Sequence, residues 1–205
     1  MAGNIKFEFM RVKGVWNILI SGVLLWMGGN LQAQPLQFTQ NKGQWHSNIR
    51  FESDILSGKL YLENKGFTYY FFNGEDYAPF QHATQAPRPS SDYATIRFHA
   101  IKTQFLGANQ VQPVGDFAYT FYRNYFIGND RSKWASHVPV HQSVAYPKIY
   151  DGIDLYVYGE QNQLKYDWVI KAHADPKNIR VQYQGAEDLF LSDGKLFVRT
   201  SFNHF

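Results

Sequence analysis

From Gln34 onward, apolar residues recur at every second position in short runs separated by turn-forming residues, and no stretch sustains a 3.6-residue period. That pattern predicts strands at Ile49 to Leu56, Lys59 to Glu63, Phe67 to Phe72, Thr95 to Phe105, Phe117 to Phe126 and Ser143 to Tyr150. It predicts further strands at Ile153 to Tyr158, Leu164 to Lys171, Ile179 to Tyr183, Leu189 to Leu191 and Lys195 to Thr200. Ser57-Gly58, Asn64-Lys65-Gly66, Asn73-Gly74 and Asp193-Gly194 supply residues that tolerate positive φ in tight turns. The expected fold is all-β, an antiparallel β-sandwich of jelly-roll-like type. Two segments interrupt the rhythm. Gly74 to Asp92 carries Pro79, Pro87 and Pro89 and reads as one long Pro-rich loop, while Asn129 or Asp130 is placed to cap a short helical turn.

The opening of the chain has a different pattern. Lys6, Arg11 and Lys13 precede an apolar run from Val15 to Met27, which leads to a small residue at Ala33. This is the layout of a secretory signal peptide over residues 1–33, with cleavage after Ala33, and the run is short of the ~20 residues that a membrane span requires. The remainder, 34–205, is expected to form a single β-sandwich domain. Losing the leader removes three cations and one anion, so the formal net charge of +3 falls to +1, and the other Lys and Arg residues are scattered. A nucleic-acid partner is therefore not expected. Cysteine is absent, so stability must come from packing rather than from disulfides. Aromatic residues make up 18% of the chain, and most are accounted for by half-buried sheet positions.

Candidate chemistry concentrates in "YDGIDLYVYGEQNQLKYDWVI", residues 150–170. Alternation puts Ile153, Leu155 and Val157 on one face of a hairpin, with Asp154, Tyr156 and Tyr158 on the other. On the return strand Lys165, Asp167 and Val169 share that polar face. A turn centred on Gln161 and Asn162 makes Asp154 and Asp167 diagonal neighbours, whereas a turn at Glu160 and Gln161 puts them directly opposite. Three readings follow for this face. It is a solvated surface neutralised by Lys165 and tyrosine hydroxyls, a weak calcium site built from Asp151, Asp154 and Asp167, or a carbohydrate-binding or carbohydrate-cleaving surface that adds Tyr156, Tyr158 and Trp134. His137 and His141 flank Pro139, which forbids a helix between them, and in extended chain they lie ~13 Å apart, too far to share one zinc ion unaided. No Gly-x-Ser-x-Gly, phosphate-cradling glycine loop or His-Glu-x-x-His occurs, and no cofactor is implied.

Four segments then carry a resemblance: "QNKGQW" at Gln40, "NYFIGNDRSKW" at Asn124, "YPKIYDGIDLYVYG" at Tyr146 and "LKYDWVIKAHADPKNIRVQYQGAEDLFLSDGKLFVRT" at Leu164. In this order and spacing they resemble the N-terminal domain of unknown function of exported Bacteroidota surface proteins that carry propeller-type repeats or type IX secretion sorting domains. The resemblance brings no catalytic or ligand residue. Its motif positions Asn41, Gly43, Trp45, Asn124, Gly128, Trp134, Gly152 and Asp154 read as turn glycines, capping polar groups and core aromatics. It implies a non-catalytic structural or interaction module at the cell surface, with downstream repeats or a surface glycan as partners. His173 stands where relatives carry glycine before "ADP". The sequence stops at "TSFNHF" where relatives continue, so a C-terminally truncated domain with a sticky strand edge near Val198 is expected.

Overall fold

The computed structural model describes residues 35–56, 58–76, 95–160 and 163–202. The expected leader, most of the Pro-rich segment and the Gln161–Asn162 turn lie outside the described residues. Among the described residues twelve strands run in chain order: β1 (Phe38–Gln40), β2 (Ile49–Ile55), β3 (Gly58–Glu63), β4 (Gly66–Phe72), β5 (Phe98–Phe105) and β6 (Val114–Tyr125) come first. β7 (Ala135–Tyr150), β8 (Ile153–Glu160), β9 (Gln163–Ile170), β10 (Val181–Gln184), β11 (Asp188–Ser192) and β12 (Lys195–Arg199) complete the series. Two differences from the sequence pattern stand out: β1 is an added strand, and β7 begins eight residues before Ser143. Asp130 caps a 3₁₀ turn at Arg131–Lys133, as the sequence suggests, and Asp175 caps a second one at Pro176–Asn178.

Ten strands form one sheet in the order β10-β5-β4-β3-β2-β1-β7-β8-β9, with β6 paired to β7 beside this path. β7 can serve three neighbours because it is long. β6 follows one edge from Ala135 to Ala145, while β1 (at Val140 and His141) and β8 (from Ser143 onward) share the other edge in line. Gly159 lies at the junction of those last two strands, where a Cβ would stand 2.7 Å from the Leu36 Cβ.

Strands far apart in this order nevertheless touch. Phe67 of β4 and Phe105 of β5 meet Tyr146 of β7 at ring-centroid distances of 6.0 and 6.4 Å, and Phe105 meets Trp168 of β9 at 5.3 Å. The sheet therefore curls until its two ends face each other as the two layers of a sandwich. Phe38, Phe51, Leu60, Leu62, Ile101 and Leu155 fill the space between them. Burying such side chains stabilises by roughly 1.5–3 kcal/mol each. β11 and β12 form a separate two-stranded sheet whose Val198 is buried against the same core and pairs with Leu189.

Candidate interaction surface

The β8–β9 ladder has the register of a turn centred on Gln161 and Asn162: Asp154 opposes Val169 and Tyr156 opposes Asp167. Asp154 and Asp167 are thus diagonal neighbours on the outer face, but their carboxylates are engaged in different places. Asp154 Oδ1 accepts from the Lys148 backbone N–H at 2.6 Å, and its Oδ2 pairs with Lys171 Nζ at 2.9 Å. The Lys148 amide and then Lys171 hold the Asp154 carboxyl below its ordinary value. Asp167 accepts from the Tyr158 hydroxyl at 3.0 Å, and Asp151 accepts from Asn109 at 3.3 Å. Among the described residues, no group of three acidic or histidine side chains is placed to hold a metal ion.

Lys148 explains the role of Asp154. It sits at φ +52°, inside the register shift between Tyr146 and Tyr150, where a non-glycine residue is strained. Asp154 binds its N–H, and Asn109 donates to its carbonyl at 2.9 Å. The "YPKIYDGID" segment is therefore a clamped bulge, closed by a turn with Gly152 at φ +71°.

The other motifs are built the same way. Asn41 donates to the carbonyls of Trp45, His46 and Ile49 and accepts from the Gly43 and Trp45 amides, so that one side chain organises the whole 41–49 loop. Asn124 accepts from the His137 amide, where φ is +51°. Trp134 Nε1 donates to the Gly128 carbonyl at 3.2 Å. Trp45 and Trp134 are not in the buried core: Trp134 is 38% exposed, and Trp45 meets Tyr125 edge-on at 5.3 Å. His173 has φ +67°, the region that a glycine there would occupy without strain.

Tyr156 is 38% exposed and opposes Ala145 of β7, whereas Trp134 precedes Ala135 at the far end of the same strand. Ten residues of strand separate these points, as much as ~33 Å. Trp134 does not share a groove with Tyr156, Tyr158, Asp154 and Asp167.

Two other sites with polar side chains are structural, one a latch and the other a packed ring. Ser201 lines an open cleft with Arg97 and Phe98, and its hydroxyl lies 2.6 Å from His99 Nδ1. His99 Nε2 lies 2.6 Å from the Gly185 carbonyl, which only accepts, so Nε2 carries the proton and Nδ1 accepts from Ser201. This ties the exit of β12 to β5. Arg97 in the same cleft is held by both carboxylate oxygens of Asp76, at 2.8 and 3.0 Å. His141, the other case, packs edge-on to Phe51 at 5.8 Å with neither ring nitrogen hydrogen-bonded. Burial holds it below its ordinary value, against a smaller opposing pull from Asp116.

The largest unexplained feature lies on β6. It is an edge strand: among the described residues it pairs with β7 alone. Phe117 is 68% exposed, and Phe121 and Tyr122 are exposed with it. The patch continues into Phe126, Ile127 (78% exposed) and Trp134, over whose ring Arg131 lies at 5.4 Å. Large apolar side chains left exposed together on one strand and its following loop are the kind of feature that marks contact surfaces, and an edge strand offers unpaired backbone groups beside them. Alternation accounts for most aromatics as half-buried sheet positions, but it does not reveal that a strand has one neighbour instead of two.

The fold and this surface define a class: an all-β module with an aromatic sheet edge. The chain belongs to the family described as Domain of unknown function (DUF7948), whose family model matches residues 38–205. No curated protein and no solved structure matches it.

Proposed function

We propose that this protein is a non-catalytic interaction module of an exported, cell-surface protein, and that its working face is the β6 edge with the 126–134 loop. The observation that carries the reading is the set of exposed Phe117, Phe121 and Tyr122 on β6, which among the described residues pairs with β7 alone, followed by exposed Phe126 and Ile127. The polar motif residues support it from the other side. Asn41, Asn124, Asp130 and Asp154 are spent on the backbone of loops and bulges that set the shape of the sheet. Export rests on the basic-apolar-small layout of residues 1–33. Placement at the front of a longer Bacteroidota surface protein, ahead of repeats or a sorting domain, rests on the four-segment resemblance.

Two experiments test this. Mature protein recovered from the cell surface is expected to begin at Gln34, and an unprocessed cytoplasmic chain would contradict export. A photoreactive phenylalanine analogue placed at Phe121 is expected to crosslink to a polypeptide on intact cells, while the same group at Tyr156 on the β8 outer face does not. Equal crosslinking from both positions, or none from 121, would remove β6 as the working face.

A further inference from the structure

We propose that the protein binds a hexose phosphate in a small basic hollow where the β3–β4 turn meets the exit of β5. The hollow is open, holds about 380 Å³, and is lined by Asn48, Glu63, Lys65, Lys102, Gln104 and Gln110 together with the backbone turn at Gly107. None of its lining residues belongs to β6. Its volume is at the low end of the ~300–1,000 Å³ of small-molecule sites, which suits a ligand of one sugar residue.

Four cations that look scattered in the sequence converge there. Arg50 stands on β2, Lys65 in the β3–β4 turn, Lys102 on β5 and Arg180 just before β10. The backbone fixes their places. The Lys65 carbonyl accepts from the Phe105 amide at 2.9 Å, and the Arg180 carbonyl accepts from the Leu106 amide at 2.8 Å. The hydroxyl of buried Tyr150 lies 3.3 Å from the Leu106 carbonyl and 3.2 Å from that of Arg180, and so staples the two segments. The Arg180 guanidinium then lies beside Gly107, with Nη2 2.9 Å from where a Cβ would stand. Arg50 donates from Nε to Asn64 Oδ1 at 2.8 Å, which holds it against the same turn.

These charges do not cancel. Among the described residues that line the hollow, Glu63 is the one carboxylate, and both its oxygens are engaged, Oε2 by Lys102 Nζ at 2.8 Å and Oε1 by the Thr68 hydroxyl at 2.7 Å. Arg50, Lys65 and Arg180 form no ion pair with any described residue. Four cations against one carboxylate leave three positive charges. A carboxylate ligand is planar and one guanidinium fork satisfies it, whereas a phosphate carries close to two charges and offers three oxygens that can be met from several sides. The remaining lining groups are carboxamides. Gln104 Oε1 already accepts from Gln184 at 3.1 Å, which orients its NH₂, and Asn48 and Gln110 each present a donor and an acceptor, the pair that a sugar hydroxyl uses.

A backbone-amide NMR titration of the purified chain with glucose 6-phosphate is expected to show saturable shifts at Lys65, Gln104, Gly107 and Gln110. Glucose is expected to give no shift there, and inorganic phosphate is expected to bind more weakly than the sugar phosphate. Lys65→Glu and Arg180→Glu are each expected to weaken glucose 6-phosphate about tenfold or more, through loss of a charge-assisted hydrogen bond. Both side chains are exposed, so the unfolding midpoint is expected to stay unchanged. Lys195→Glu makes the same charge change on β12, outside the hollow, and is expected to bind like the parent. No shift with glucose 6-phosphate, equal affinity for glucose or for inorganic phosphate, or equal weakening by Lys195→Glu overturns the proposal. Crosslinking from position 121 is decided separately, so this site and the β6 face stand or fall apart.

Discussion

Asp154 and Asp167 share a face but do different jobs, and the difference is measurable. Asp154→Ala leaves the Lys148 amide of a strained bulge without its acceptor, and is expected to cost about 1–2 kcal/mol in denaturant unfolding. Asp167→Ala gives up one exposed hydroxyl bond and is expected to stay within about 0.5 kcal/mol. The pH dependence has a definite sign. The Asp154 carboxyl is held below its unfolded value, so its contribution is complete above that value and is lost as pH falls through the folded one. At His173 the outcome reverses. Glycine there removes left-handed strain at φ +67°, and His173→Gly is expected to leave stability unchanged or raise it by up to about 1 kcal/mol, net of the added chain entropy. At this scale the sequence was readable in part. Parity put the two aspartates on one face, and the glycine expected at 173 pointed to an unusual backbone. The partner of Asp154 was not readable, because Lys148 reaches it only through a bulge that alternation does not encode.

Among the elements, β7 shows why strand limits were missed. Pro139 argues against a strand at that position, yet the proline stands one step beyond the β1 rungs at Val140 and His141, so its missing N–H leaves no bond unmade on that side. Where β1, β6 and β7 meet, the ring of His141 lies so close to Gly115 that a Cβ there would stand 2.5 Å from it. Gly115→Ala is expected to push the two strands apart at a cost of about 1–3 kcal/mol, read as a lowered unfolding midpoint with faster exchange of β6 amides. His141 is held below its unfolded value by burial, so the unfolded chain takes up the proton first. Its cost to folding begins as pH falls through the unfolded value, near ~6.5, and is complete below the folded one. The melting temperature is expected to drop as pH is lowered through the unfolded value, and His141→Leu is expected to flatten that part of the curve.

Across the whole molecule, one curled sheet supplies both layers of the sandwich, and what positions the working face is the topology, not a constellation of reactive groups. β6 leaves β5, crosses to β7 and stays there as an outer strand while β8 and β9 continue the main path. The three-residue β1 was too short to show, but the all-β class and most strand positions were legible because alternation and turn residues are local signals. Sheet order was not, since nothing local in "FAYTFYRNYF" distinguishes a strand flanked on both sides from one left at an edge. The consequence is an aromatic edge strand that, among the described residues, pairs on one side only. Hydroxyl-radical footprinting of the protein on intact cells, compared with the purified chain at high dilution, tests that most directly. Phe117, Phe121 and Ile127 are expected to be protected on the cell relative to Tyr156 and Val169 of the β8–β9 outer face. Labelling of the β6 residues that is the same in both settings would contradict an edge that serves to bind.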